Sequence, residues 1–228
     1  MTCSSVSMFA DAFQRDGFAV LPQVLTREEC DALCAAVAPL GADAAGTRNL
    51  LDHDWCRALA SRLRAEPALA ATILDDWIAV QCTYFEKSRD RNWLVPVHQD
   101  LSIPVRERVA HPALRGWSDK EGSVFVQPPV AVLERLVAVR VHLDACMEED
   151  GPLQFIPATH TLGRIPAAQA SALKQAGPVR TCTLAQGGAL VMRPLALHAS
   201  SKAAGTSRRR VLHFVFGPDT LPYGLRWP

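Results

Sequence analysis

The sequence predicts a mainly β fold, a jelly-roll sandwich with helices packed against it. Helical patterning is concentrated before residue 77, and from Ile78 onward the chain breaks into short apolar runs separated by Pro, Gly and charged turns. Strands in that rhythm belong to an antiparallel sandwich or barrel. With 228 residues, 49% of them hydrophobic, the chain can bury a full core and lies near the upper end of what one domain holds. We therefore expect one domain over 1–228, with a mainly helical part at 1–77 and the β core at 78–228.

The elements follow from local signals. Ala10-Asp11-Ala12-Phe13-Gln14-Arg15-Asp16-Gly17 reads as a helix closed by its glycine. Thr26-Arg27-Glu28-Glu29 reads as a capping box opening a helix to about Val37. Asp54 to Arg64 repeats the helical spacing, and Pro67 starts a short helix towards Ile73. The expected strands are Ile78 to Phe85, Val95 to Asp100, Gly122 to Val126, Leu136 to Leu143, Gln154 to Ile156, Ala189 to Arg193 and Arg209 to Phe216. Leu162 to Ala176 reads as a helical insertion, started at Pro166. Arg106 to Glu121, charged and proline-flanked, reads as a loop and a candidate lid.

Composition narrows the function. A net charge of +1 leaves no broad cationic surface for nucleic acid or anionic lipid. No apolar stretch approaches a membrane span, and Met1-Thr2-Cys3-Ser4-Ser5 lacks a basic leader, so a cytoplasmic address is expected. The seven cysteines are scattered without a Cys-x-x-Cys and read as reduced, structural thiols; Cys30 and Cys34, one helical turn apart, read as core contacts.

The histidines carry the chemistry. His and Asp two apart on a strand point the same way and offer two of the three ligands of a facial two-histidine, one-carboxylate iron site. With seven His and fourteen Asp, such a pair arises easily by chance, and there are two: His98-Gln99-Asp100 and His142-Leu143-Asp144. His198, after the Gly187-Gly188 turn and an apolar strand, is the best-placed third ligand. Arg208-Arg209-Arg210 then opens the last strand, where a buried guanidinium would suit the distal carboxylate of 2-oxoglutarate. Arg209 shares a face with Val211 and Val215, and Arg210 shares one with Leu212, Phe214 and Phe216; periodicity does not choose between them.

In their order and spacing these residues resemble the phytanoyl-CoA dioxygenase family, within the double-stranded β-helix oxygenases that use Fe(II) and 2-oxoglutarate. The resemblance runs from Asp16-Gly17-Phe18-Ala19-Val20-Leu21-Pro22 with Glu28-Glu29-Cys30, through His98-Gln99-Asp100-Leu101 and Val141-His142-Leu143-Asp144, to Gly151-Pro152-Leu153 and Ile156-Pro157-Ala158-Thr159-His160. It ends in the Gly187-Gly188 to His198 segment and the Arg-rich strand. It implies that His98, Asp100 and His198 hold the metal, and that Val141 to Asp144 is a strand without ligands. Arg209, eleven positions beyond His198, falls on the co-substrate's arginine, with Arg208 in its place if the loop between aligns one residue differently. Ala158 stands where the family usually has Gly, and Arg140 where some members carry an aromatic residue near the metal.

The resemblance implies Fe(II), 2-oxoglutarate and O2 as reactants, release of succinate and CO2, and attack on an unactivated C–H bond with hydroxylation as the usual outcome. A carboxylate at Asp100 weighs against halide transfer, which needs that metal position open. Gln81 and Thr83 are expected to orient ligands and seat the co-substrate, although strict alternation would equally put Gln81 outside. Arg140 and His142 share a strand face and could line a pocket for an anionic or amino-acid-like substrate, or pair with Asp144. Trp93, Trp117, Phe125 and Tyr84 read as core or as the substrate mouth. The expected partner is a small metabolite, with no nucleic acid and no membrane. The second reading is a cupin-like jelly roll that binds metal without oxygenase activity.

Overall fold

The computed structural model describes residues 3–40, 46–205 and 207–228; the side chains of Cys3 and Ser4 lie outside the described set. Its α-helices are α1 (Cys3–Asp16), α2 (Arg27–Val37), α3 (Asp54–Ala65), α4 (Pro67–Ala70), α5 (Val130–Leu133) and α6 (Ala167–Ala176). The strands are β1 (Phe18–Leu21), β2 (Gly46–Thr47), β3 (Trp77–Lys87), β4 (Val95–His98), β5 (Ile103–Val105), β6 (Arg115–Lys120) and β7 (Ser123–Gln127). They continue with β8 (Val137–His142), β9 (Leu153–Phe155), β10 (Arg180–Cys182), β11 (Ala189–Met192), β12 (His198–Ser200) and β13 (Arg209–Pro218).

A six-stranded sheet in the order β1-β11-β8-β13-β3-β2 faces a four-stranded sheet in the order β10-β9-β12-β4, and β5-β7-β6 form a third, smaller sheet. From β8 onward the chain passes repeatedly between the two larger sheets, the jelly-roll course that the strand rhythm predicts. Period-two alternation sorts the large sheet into two faces. Tyr84, Val139, Val141, Leu212, Phe214 and Phe216 point outward into a core closed by Phe9 and Phe13 of α1, Cys30 of α2, and Leu59 and Leu63 of α3. Lys87, Arg140, Arg209 and His213 have the opposite parity and face inward, towards the four-stranded sheet.

Local signals explain the helices. In α2 the Glu29 amide donates to Thr26 Oγ1 at 3.3 Å while the Thr26 amide donates to Glu29 Oε2 at 2.7 Å, so the capping box forms as the sequence predicts. Cys30 and Cys34 are buried on the inner face of that helix, and the six described cysteines are all buried free thiols.

Two expectations need correction and one needs an addition. Residues 1–77 are mainly helical but also supply two strands: β1 pairs with β11 and β2 with β3, extending the large sheet at both edges. Four residues between a helix and Pro22 are too few to show a period. Arg106–Glu121 is not a loop throughout, because β6 runs through its second half and pairs with β7, while the Arg106 amide is fixed to the Arg226 carbonyl at 2.9 Å. The helical insertion is narrower than 162–176: a 3-10 turn ends at Leu162 and α6 begins at Ala167, after Pro166.

Ala158 has φ 62°, and its amide donates to the Asp16 carbonyl at 2.9 Å. Left-handed backbone favours glycine at this position, and a Cβ in that region costs about 1 kcal/mol. Ala158→Gly should therefore raise stability by about 1 kcal/mol in denaturant unfolding. Gly187→Ala should lose more, because a Cβ there, at φ +81°, would run into the Leu25 carbonyl oxygen.

Candidate active site

Antiparallel pairing of β12 with β4 sets His198 directly opposite His98, with ring centroids 4.3 Å apart. Asp100 lies just past the end of β4, its amide donating to the Pro194 carbonyl at 2.8 Å, which ties it to the approach to β12. The Nε2 atoms of His98 and His198 stand 3.5 and 3.8 Å from the two Asp100 carboxylate oxygens. Each imidazole places Nδ1 2.9 Å from a backbone carbonyl, of Pro96 for His98 and of Ala196 for His198. A carbonyl only accepts, so Nδ1 carries the hydrogen in both rings and the Nε2 lone pair of each faces Asp100. Three donor atoms within 4.8 Å of one another thus converge, and a divalent ion fits them.

Electrostatics suit a cation there. Burial pushes the His198 imidazole down to about 4, with Asp100 opposing, so the ring is neutral near pH 7. Burial works against charge on Asp100 too, but the neighbouring His198 and His98 outweigh it and hold the carboxyl well below its usual range. For His98 burial is likewise the largest influence, yet Asp100 prevails and its pKa is raised.

The triad opens into a cavity of about 380 Å³, within the size range of small-molecule sites. Four basic side chains line it, Arg48, Lys120, Arg140 and Arg209, against a single carboxylate, Asp100. Arg209 is 5% exposed; one guanidinium nitrogen donates to the Gly151 carbonyl and its Nε has no partner. Its cross-strand neighbour Lys87, 1% exposed, donates to Ser200 Oγ at 2.7 Å and to the Ser201 carbonyl at 2.5 Å. Burial and the nearby Arg209 press the Lys87 ammonium down to about 8. Arg140 donates to His213 Nδ1 at 3.0 Å, lies over the Phe85 ring, and has an unpartnered Nε. Among the described residues these buried cations have no carboxylate in ion-pair distance, an arrangement that an incoming anion relieves.

The predicted residues sort as follows. His98, Asp100, His198, Arg209, Arg140, Gln81 and Thr83 all border the cavity, and Gln81 Nε2 donates to Thr83 Oγ1 at 3.0 Å, so Gln81 faces inward. Arg208 points elsewhere and forks onto Glu86 Oε1 at 2.7 and 3.0 Å. His142 is buried beside the site but does not line the cavity. The pairing of Arg140 or His142 with Asp144 does not occur; Asp144 is held by Arg210 at 2.7 and 2.8 Å, because both point to the other face of the sheet. Trp93 and Phe125 line the cavity, whereas Tyr84 belongs to the helix-side core and Trp117 packs in the third sheet.

Sequence reasoning missed Lys87, His213, Ser200 and Gln99. The Gln99 amide donates to the carbonyls of Gly163 and Leu195, each at 2.8 Å, and accepts from the Ile165 amide at 2.8 Å, so the middle residue of His-Gln-Asp pins two loops beside the ligands. Its position inside the motif was the available signal.

The phytanoyl-CoA dioxygenase family model matches residues 13–211, most of the chain. The chain belongs to that family. A comparison with curated proteins finds no match. Among solved structures it is similar to SnoN, the non-heme alpha-ketoglutarate-dependent epimerase of nogalamycin biosynthesis, at 18% identity and TM-score 0.72, covering 96% of this chain and 83% of that one. SnoK, the carbocyclase of the same biosynthesis, matches at 14% identity and TM-score 0.70, over 92% of this chain and 83% of that one. HygX from Streptomyces hygroscopicus, solved with iron bound, matches at 15% identity and TM-score 0.63, over 96% and 87%. These likenesses confirm the jelly-roll architecture of this family member.

The two His-x-Asp pairs can be told apart by mutation. Asp100→Ala should abolish Fe(II) binding measured anaerobically by calorimetry. Asp144→Ala should leave it intact and cost about 1–3 kcal/mol of stability by stranding Arg210.

Proposed function

We propose that this protein is a non-haem Fe(II)- and 2-oxoglutarate-dependent oxygenase that hydroxylates an unactivated C–H bond of a small metabolite, with release of succinate and CO2. The observation that carries the reading is the pairing of two features in one cavity. Two Nε2 lone pairs and a carboxylate converge at one place, and a buried arginine with an unpartnered Nε borders the same space. A keto acid that chelates a metal at one end and carries a second carboxylate at the other matches both. The related SnoN has been solved with Fe3+ and alpha-ketoglutarate, and HygX with nickel and 2-oxoglutarate.

His98, Asp100 and His198 would hold Fe(II), which when bound activates O2 for attack on the substrate. The carbonyls of Pro96 and Ala196 keep both imidazoles in the tautomer that offers Nε2. Arg209 receives the distal carboxylate, with Ser200 beside it and Lys87 behind. Gln81 and Thr83, bonded to each other on the inner face of β3, seat the co-substrate from the side. Val95, Phe125, Leu133 and Leu136 dry the cavity wall. The dioxygenase family favours hydroxylation; the epimerase and carbocyclase outcomes of SnoN and SnoK are the alternatives that product analysis separates.

The cupin-like reading predicts metal binding without turnover, and one experiment divides the two. Anaerobic addition of Fe(II) and 2-oxoglutarate should produce the weak visible charge-transfer band of the chelate, and O2 should then yield succinate; no band in the wild type sinks the oxygenase reading. Arg209→Ala should weaken 2-oxoglutarate binding by roughly 10- to 100-fold with iron retained, the loss of a charge-assisted fork. Arg208→Ala should leave it unchanged.

A further inference from the structure

Cations in and behind the cavity fall into two groups: Lys87, Arg140 and Arg209 on the paired strands β3, β8 and β13, and Lys120 with Arg48 at the β6–β7 turn. Burial first and Arg209 second depress both Lys87 and Arg140. Lys120 is depressed by burial and then by Arg48, with Asp100 opposing. The first group suits the dianionic co-substrate of the proposed function. In a loaded site Asp100, Fe(II) and 2-oxoglutarate sum to about one negative charge, which the first group already exceeds. Lys120 is therefore surplus to metal and co-substrate.

Its surroundings do not neutralise it. Arg48 is engaged by Glu121, through both its amide and its guanidinium. Among the described residues no carboxylate lies within ion-pair distance of the Lys120 ammonium, which sits 4.8 Å from the centroid of the Phe125 ring. The position is also fixed. Lys120 pairs with Ser123 across a two-residue turn in which Glu121 (φ 49°) and Gly122 (φ 78°) are both left-handed. Glu121 keeps that unfavourable backbone because Asn49 donates to its carbonyl at 3.2 Å and its carboxylate holds the Arg48 amide at 2.7 Å. A half-buried, unpaired ammonium, braced on an aromatic face and aimed into a cavity, is a preorganised anion receptor.

We propose that Lys120 is a specificity-determining residue that receives a carboxylate or phosphate of the substrate, so that the oxidised molecule is a small organic anion held with its charged end at the β6–β7 hairpin and its C–H bond towards the triad. This rests on the proposed function for the identity of the reaction and for the charge sum of the loaded site, while the unpaired ammonium at the cavity is independent of it.

The test uses phenyl phosphate, benzoate and the neutral benzyl alcohol as probes, titrated by calorimetry into protein loaded with nickel and 2-oxoglutarate so that Arg209 is occupied. Phenyl phosphate or benzoate should bind and benzyl alcohol should not, and whichever anion binds more tightly names the group. Lys120→Met should weaken that binding at least roughly tenfold, with 2-oxoglutarate affinity unchanged, and Lys120→Arg should largely restore it. Equal binding of benzyl alcohol, or an unaffected Lys120→Met variant, overturns the proposal. If 2-oxoglutarate fails to load, it is the proposed function that fails; the same titration on metal-free Arg209→Ala protein, with and without Lys120→Met, then decides the anion site alone.

Discussion

The pairing of β12 with β4 is the constraint from which the rest of the site follows, because it brings together two histidines one hundred positions apart and sets their rings on one face. A slip of one residue in that register would turn His198 to the opposite face and leave His98 without its partner. The strands are short, four and three residues, so they cannot hold register by ladder length alone. Gln99 and the Asp100 amide supply what the ladder lacks, by gripping the backbone just ahead of β12, at Pro194 and Leu195, and just ahead of α6, at Gly163 and Ile165. The geometry of His98, Asp100 and His198 is thus set by side-chain and backbone hydrogen bonds outside the sheet as much as by the sheet.

A second feature works against the fold. Lys87 and Arg209 are cross-strand partners on an inner face, both almost fully buried and of like charge, which is unfavourable for a sheet in isolation. Arg140 adds a third buried cation nearby, and His213, pressed down to about 3 by burial and then by Arg140, stays neutral and accepts its hydrogen bond. Natural proteins relinquish stability in this way where a ligand recovers it, and a bound dianion would stabilise the folded state through the same contacts.

How much of this was legible in the sequence depended on whether the signal was local. The α2 capping box and the outward Leu212-Phe214-Phe216 row of β13 are written in adjacent residues, and they read correctly. The parity of β13 showed that Arg209 and Arg210 take opposite faces, but which face is inner depends on the helices that cover the other, and those contacts are remote in sequence. Lys87 was hidden in the charged run Glu86 to Arg91, where a lysine reads as solvated. The polar β6 and the three-residue β5, β10 and β12 carry too few alternations to register. His198 was found as a ligand candidate without its strand being seen, because residue chemistry identified it where periodicity could not.

The third sheet has a different relation to the site. Among the described residues β5, β6 and β7 pair only with one another, and their apolar cluster packs against the C-terminal segment through Leu225 and Trp227 and meets the cluster between the two larger sheets at Val215. The three side chains of the triad come from β4, β12 and the residues just past β4, none of which belongs to this unit. Its turn can therefore vary in length and charge without disturbing the chemistry next to it. Over the history of a family with one oxidising centre, such an appendage is a place where new selectivity can arise while reactivity is inherited intact.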